Sequence, residues 1–334
     1  MKNSIIKSRR SIILVGLVTA VIPWMSLAHA ADYPAGPITL MVPYPAGGAS
    51  DVSARILSNP IGKELGVTLI VENLGGATGT IAASKVLNAK ADGSIIFQGT
   101  QNELIIPPLT NRAVTYQPDA FELTQPSTIT QLVLLVRNDL PAKTIQDFFK
   151  LAGKNTSKPL TYGTVGVGSL YHLMTEYMGK IMKIPFSHIP YKGAAPVMQD
   201  LSGGQIDFAI MPFQSSMLDM IKSGRYRALA VFTKNRPPLL AQIPSITEIP
   251  QLAKFEYVSS AGYYVKKGTP LEIRTALNQA IGKALQDPTV ISKLEADGRN
   301  IPKRMTLAEA AAAYEAEIAK YKEMIRITGY VQTE

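Results

Sequence analysis

The stretch VPYPAGGASDVSARIL, Val42 to Leu57, places Tyr44, Ala46, Gly47, Gly48, Ser50 and Asp51 between a short apolar run and a helical pattern. A strand, a Pro/Gly loop and a helix start form a cradle for an anion, because the first N–H groups of a helix have no carbonyl partners and point outward. Three more strand ends share this character. Gly75–Thr80 holds Thr78 and Gly79, and Gln98–Asn102 holds Thr100, Gln101 and Asn102. Gly163–Ser169 holds Thr164, Gly166, Gly168 and Ser169, with His172 one turn into the next helix. Ligands of open α/β sheets bind beyond the carboxyl ends of the strands, so four such ends predict one shared anion site. Taken singly, each loop also reads as plain turn chemistry.

The same residues speak against several enzyme classes. No Lys-Ser or Lys-Thr follows the glycines, as a P-loop requires. GTVGVGSLY, Gly163 to Tyr171, lacks the third glycine of a dinucleotide fingerprint, and it is also not a nucleophile elbow. There is no cysteine and, past residue 30, the histidines are His172 and His188, so a tight transition-metal site is not expected and no cofactor is implied. His172 reads either as a helix-start residue bonded to backbone or as a ligand contact, and His188 as structural. Tyr44, Tyr191 and Phe213 read equally as core aromatics and as ligand contacts. Asp51 reads first as a carboxylate favourable to the helix dipole. Asp207 reads as a turn or cap residue. A hydrolase using Ser169 and His172 stays open, although no carboxylate is evident as a third member.

Alternating strand and helix patterns must position these loops, which argues an α/β fold. Ile38–Tyr44, Val67–Asn73, Ser94–Thr100, Gln131–Asn138 and Tyr226–Phe232 read as strands, and Gln131–Asn138 suits a crossing between lobes. The helix near 50–64 should be kinked or shortened at Pro60. Thr144 caps a helix that stops near Gly153. Thr269 and Pro270 read as an N-cap and N1 pair, with Leu271, Leu277, Ile281 and Leu285 on one face. Thr306 and Glu309 form a capping box before a helix ending near Gly329.

Residues 1–30 read as a cleavable leader: Lys2, Lys7, Arg9 and Arg10, an apolar run from Ile12 to Ile22, then a small-x-small site ending at Ala30. The ordinary secretory route is favoured, and SRRSII leaves the twin-arginine route open. Loss of the leader removes four basic and no acidic residues, so the formal charge falls from +9 to +5. The remaining charges are scattered, and no nucleic-acid partner is expected. Trp24 is the one tryptophan and goes with the leader. The roughly 300 residues that remain suffice for two lobes without disulfides.

With these motifs on the page, the chain closely resembles the Bug family, the periplasmic solute-binding proteins of tripartite tricarboxylate transporters. The match rests on Pro-x-Gly-Gly-x-Ser-Asp at 45–51, Val-Glu-Asn at 71–73, His-Ile-Pro-Tyr-Lys-Gly at 188–193 and Gly-Gly-Gln-Ile-Asp at 203–207, with ADGSIIFQGT, YGTVGVGSLYHL, YRALAVFT and IPSITE between and after them. The resemblance implies two α/β lobes that close like a Venus flytrap, with lobe one over 31–130, lobe two over 131–255 and a return to lobe one over 256–334. It implies a small organic acid held between the 45–51 and 163–169 loops, partners in the membrane subunits of such a transporter, a monomeric receptor and no catalytic residues. It adds Tyr191 and Lys192 to the residues of the four loops. Family members commonly carry an Asp-Asn pair after the strand that follows Gly-Gly-Gln-Ile-Asp. Here Met211 and Pro212 stand, then Phe213 and Gln214. That argues against an amino-acid or citrate-like ligand and for one with an apolar or aromatic flank, with Met211 and Phe213 as wall residues. A sensor module that presents its closed form to a membrane kinase is a further reading.

Overall fold

A computed structural model of the chain describes residues 1, 33–154 and 156–331. Apart from Met1, the expected leader lies outside the described residues. Ile38–Val42 is apolar on both faces, as suits a strand covered on both sides, and forms β1. It pairs in parallel with β2 (Leu69–Asn73) and β3 (Ile95–Thr100). Helices α1 (Ala49–Leu65) and α2 (Thr80–Asn88) make the crossovers. Two short helices, α3 (Gln101–Leu104) and α4 (Ile106–Thr110), follow β3 directly.

Strand β4 (Phe121–Arg137) is 17 residues long. Helix α5 (Ile145–Lys154) follows, and the second lobe repeats the alternation with β5 (Leu160–Thr164), α6 (Leu170–Met182), β6 (Phe186–Pro190), α7 (Ala194–Ser202), β7 (Phe208–Pro212), α8 (Ser216–Lys222) and β8 (Tyr226–Val231). The chain returns through β9 (Val258–Lys266), then α9 (Leu271–Ala284), α10 (Pro288–Ala296), the two-residue β10 (Arg299–Asn300) and α11 (Leu307–Thr328). The strand order is β2-β1-β3-β9-β4-β7-β5-β6, with β8 and β10 also on β4. Over Phe121–Gln131, β4 pairs with β9, and over Leu132–Val136 with β7. One strand thus serves both lobes of a two-lobe α/β fold.

Each lobe buries its helices on its part of the sheet. In the first, Leu57 and Ile61 of α1 and Leu277 and Ile281 of α9 are fully buried against β1, β2 and β9. Each such side chain contributes about 1.5–3 kcal/mol. Leu271, read as part of that face, is 61% exposed. Pro60 sits inside α1, which continues to Leu65. Both it and Ile56, whose carbonyl loses its helical donor, are partly exposed, so water can serve that carbonyl. Pro270 is the N-cap of α9, and the Thr269 hydroxyl instead donates to the Lys266 carbonyl, closing the turn after β9. Thr306 and Glu309 form the expected capping box.

Candidate functional site

The 45–51 loop is tied down from three sides. Asp51 accepts hydrogen bonds from the Gly47 N–H (2.8 Å) and from Arg55 Nε (3.0 Å). Burial pushes the Asp51 pKa up, but the bonds from Arg55, Gly47 and Asn73 outweigh it and hold the carboxyl below its usual range. Asn73, the last residue of Val-Glu-Asn, donates to the Tyr44 carbonyl (3.0 Å). Gln98 donates to the Ser50 carbonyl and to Ser53 Oγ. Gly47 therefore spends its N–H inside the loop. Ala49, Ser50 and Asp51 supply the first-turn N–H groups of α1, and its N-cap Gly48 carries no side-chain cap.

Residues 44–50 border a cavity of about 310 Å³. Its floor is Gln98 and Thr100 at the end of β3, Thr130 of β4, and Ser259 and Ala261 of β9. The second lobe supplies Val165, Tyr171, Met211, Pro212 and the run Lys192–Pro196, where α7 begins behind an N-cap, Gly193, without a side-chain cap. Among the described residues, Lys192 and Arg299 are the charged ones in the wall, and no carboxylate joins them. Arg299 is 4% exposed. Its Nε donates to Asp297 (2.9 Å) and its Nη2 to the Ala49 carbonyl (2.6 Å). An adjoining cavity of about 750 Å³ shares Tyr44, Pro45, Val165 and Lys192 with the first.

Of the residues singled out from sequence, Tyr44, Ala46, Gly47, Gly48, Ser50, Thr100, Asn102, Lys192 and Met211 line the first cavity. Thr78, Gly79, Gly166 and Tyr191 line the second, with Tyr44 and Lys192 common to both. The others stand behind the walls. Asp51 braces the loop as described. Gln101 bonds the backbone of Val258 and Ser260 on β9. Thr164 is fully buried and its hydroxyl meets Gly166 and His188 Nε2. Gly168 donates its N–H to His172 Nδ1 (3.0 Å). Ser169, also fully buried, accepts the His172 backbone N–H as the cap of α6. Its hydroxyl and the His172 ring are thus both held by backbone, which leaves no nucleophile–base pair between them. Phe213 packs its ring where a Cβ on Gly298 would stand, 2.4 Å from the ring edge. Gly298, with φ +81°, is thereby confined to glycine, and the aromatic backs the segment that carries Arg299.

His172 and His188 stack with centroids 4.1 Å apart. Burial lowers both pKa values to about 4, and for His188 the His172 ring adds to the effect. Glu103 is fully buried behind Thr100, accepting from its N–H and hydroxyl. Burial raises its pKa to about 7 against the opposing bonds from Tyr44 and Thr100. The lobes also touch directly. Asn102 Oδ1 accepts the N–H of Leu170, the first residue of α6 (2.8 Å).

The family model for the tripartite tricarboxylate transporter family receptor matches residues 53–329. The chain belongs to that family of periplasmic solute-binding receptors. The receptor is 29% identical to protein BugT of Bordetella pertussis over 327 residues, 96% of this chain and 98% of BugT. Its fold matches R. palustris Rpa4515, solved with adipate, at a TM-score of 0.82 and 29% identity, covering 90% of this chain and 99% of that one. It also matches MatC of Rhodopseudomonas palustris, solved with bound malate, at 0.79 and 25% identity, covering 88% and 100%. Among the described residues no helix is long and apolar enough to cross a membrane.

Sequence reasoning missed Arg299, Asn73 and the start of α7 as the second lobe's main wall. The α7 start carries the same glycine-to-helix signal as the other loops, in YKGAAP. Arg299 has a weak signal, one arginine after an Asp-Gly turn.

Proposed function

We propose that the receptor captures a small organic carboxylate between its lobes and hands it to the membrane subunits of a tripartite tricarboxylate transporter. The observation that carries this reading is the composition of the 310 Å³ cavity wall: an uncapped start of α1, Lys192 and Arg299, and no acidic side chain among the described residues. Such a wall favours an anion through first-turn N–H groups and through charge, and the apolar remainder accepts a carbon skeleton. The adipate and malate held by two similar proteins agree with it. On this reading Tyr44–Ser50, Thr100, Asn102, Lys192 and Met211 contact the ligand, and Asp51, Gln101, Ser169, His172 and Phe213 hold those contacts in place. We place the lobe boundaries near residues 130 and 255, with export by the leader and a monomeric working state. Binding to both lobes stabilises their closed arrangement.

The test is a thermal-shift screen of aliphatic and aromatic mono-, di- and tricarboxylates. A ligand at one hundred times its Kd stabilises by about 2.7 kcal/mol, a shift of several degrees. Folded protein whose melting temperature stays fixed across the whole set at millimolar concentration overturns the reading.

A further inference from the structure

Tyr44, Thr100 and Tyr171 line the cavity, and one carboxyl stands behind them. Glu103 of α3 is fully buried. Its Oε2 accepts the Thr100 N–H (2.6 Å) and the Thr100 hydroxyl (2.8 Å). The Tyr44 hydroxyl lies against the same carboxyl, and burial together with this charge raises the Tyr171 pKa. Around it also stand Tyr116, whose hydroxyl donates to the Glu103 carbonyl, and Tyr264 of β9. At Gly79 a Cβ would come within 2.3 Å of the Glu103 side chain, so that side is closed as well. Among the described residues no Lys, Arg or His bonds or ion-pairs with Glu103. Hydroxyl and amide dipoles alone meet its charge, directly behind the wall of an anion site.

We infer that Glu103 is a positioning residue through which the receptor takes up a proton as it binds an anion. This rests on the carboxylate reading above and adds a link between binding and pH. As a carboxylate, Glu103 draws the Thr100 hydroxyl hydrogen inward, which leaves lone pairs toward the cavity. As a carboxylic acid, with its proton taken from solvent, it donates its own O–H to the Thr100 or Tyr44 oxygen. The hydrogen of that hydroxyl is then free to turn to the ligand. Protonation also removes a like charge from behind the wall. Both effects make an anion bind the acid form more tightly, and by reciprocity a bound anion raises the proton affinity of Glu103. Burial already brings the Glu103 pKa to about 7, so the exchange falls near neutral pH. If the anion prefers the acid form about tenfold, binding is about sixfold tighter at about pH 6.5 than at about pH 8.5.

The experiment is calorimetric titration of the purified protein with adipate, with malate and with the acid that gives the largest thermal shift in the screen above. Buffers of different ionisation heat then count the protons taken up per acid bound. Acids that are fully ionised above about pH 6.5 contribute no titration of their own. The expected result is uptake of about half a proton near pH 7.5, with Kd falling about sixfold from about pH 8.5 to about pH 6.5. His172 and His188 stay neutral over this range. In Glu103→Gln, neutral at every pH, uptake should vanish and Kd should stay flat. Glu317 of α11 is the other buried carboxyl with a pKa near 7, and it bonds Ser260 of β9. Glu317→Gln should therefore keep the wild-type uptake. Wild-type binding without proton uptake, uptake that persists in folded Glu103→Gln, or uptake lost in Glu317→Gln overturns the inference and leaves the carboxylate reading intact. Failure of every acid to bind the wild-type protein overturns both.

Discussion

Replacing Asp51 with alanine isolates the brace of the 45–51 loop, because Asp51 lies outside the cavity while holding one of its edges. The side chain is 3% exposed and accepts the Gly47 N–H at 2.8 Å. A hydrogen bond to a charged group contributes about 1.5–3 kcal/mol. A carboxylate in the first turn of a helix adds about 0.3–1 kcal/mol. Leaving the exposed Arg55 partner out of the sum, Asp51→Ala should cost about 2–4 kcal/mol. For a chain of this size that is a fall in melting temperature of roughly 4–12 °C. Asp51→Asn keeps an acceptor for Gly47 without the charge and should fall between alanine and wild type. The pH dependence follows from the lowered pKa. A depressed carboxyl contributes stability above its unfolded value of 3.8 and loses it as pH falls through the folded value. The gap between wild type and Asp51→Ala, read by thermal unfolding, should therefore stay constant from pH 7 to pH 5 and close only below about pH 4. A gap under about 0.5 kcal/mol, or one already gone at pH 5, would refute the assignment of this carboxylate as the charged brace.

Two further outcomes concern buried titrating groups. The rings of His172 and His188 should remain neutral in the folded protein down to about pH 5, since burial sets their pKa near 4. Stability from the neutral rings is complete above pH 6.5 and is lost as pH falls through about 4. NMR titration of the ring protons checks this, and a midpoint near 6.5 for either ring contradicts it. Glu103 has the opposite sign: its pKa is raised from 4.5 to about 7, so the folded state loses stability as pH rises through that interval. Glu103→Gln should gain on wild type by up to about 3 kcal/mol between pH 4.5 and pH 8, and a flat difference in denaturant unfolding would count against it.

The sequence disclosed the parallel strands and the loops after them, because those strands are short apolar runs bounded by glycine. It concealed the first half of β4. Thr124, Gln125, Ser127, Thr128 and Thr130 are all buried there, and with Pro126 among them the run reads as a polar connection. Tertiary pairing with β9 supplies the partners that local pattern does not show. The site divided in a similar way. Local signals located Tyr44–Ser50 and Thr100, whose roles depend on a strand end and the helix just after it. They could not place Arg299, whose Nη2 meets a carbonyl 250 positions away. Nor could they tell wall from brace: Phe213 and Met211 sit two residues apart, yet one lines the cavity and the other packs behind Gly298.

The bond from the Leu170 N–H to Asn102 lets one lobe share with Ser169 the capping of the other lobe's helix. Breaking it leaves α6 its Ser169 cap, and water takes both freed groups. The net value of such an exchange is about 1 kcal/mol, a factor of roughly five in the ratio of shut to open receptors. This bond is one of several between the lobes: Asn102 Nδ2 also donates to the Tyr171 hydroxyl, and Lys180 of α6 donates to the carbonyls of Ile327 and Thr328 at the end of α11. Each alone exchanges for water at small cost, so the hold of one lobe on the other is their sum and no single bond sets it.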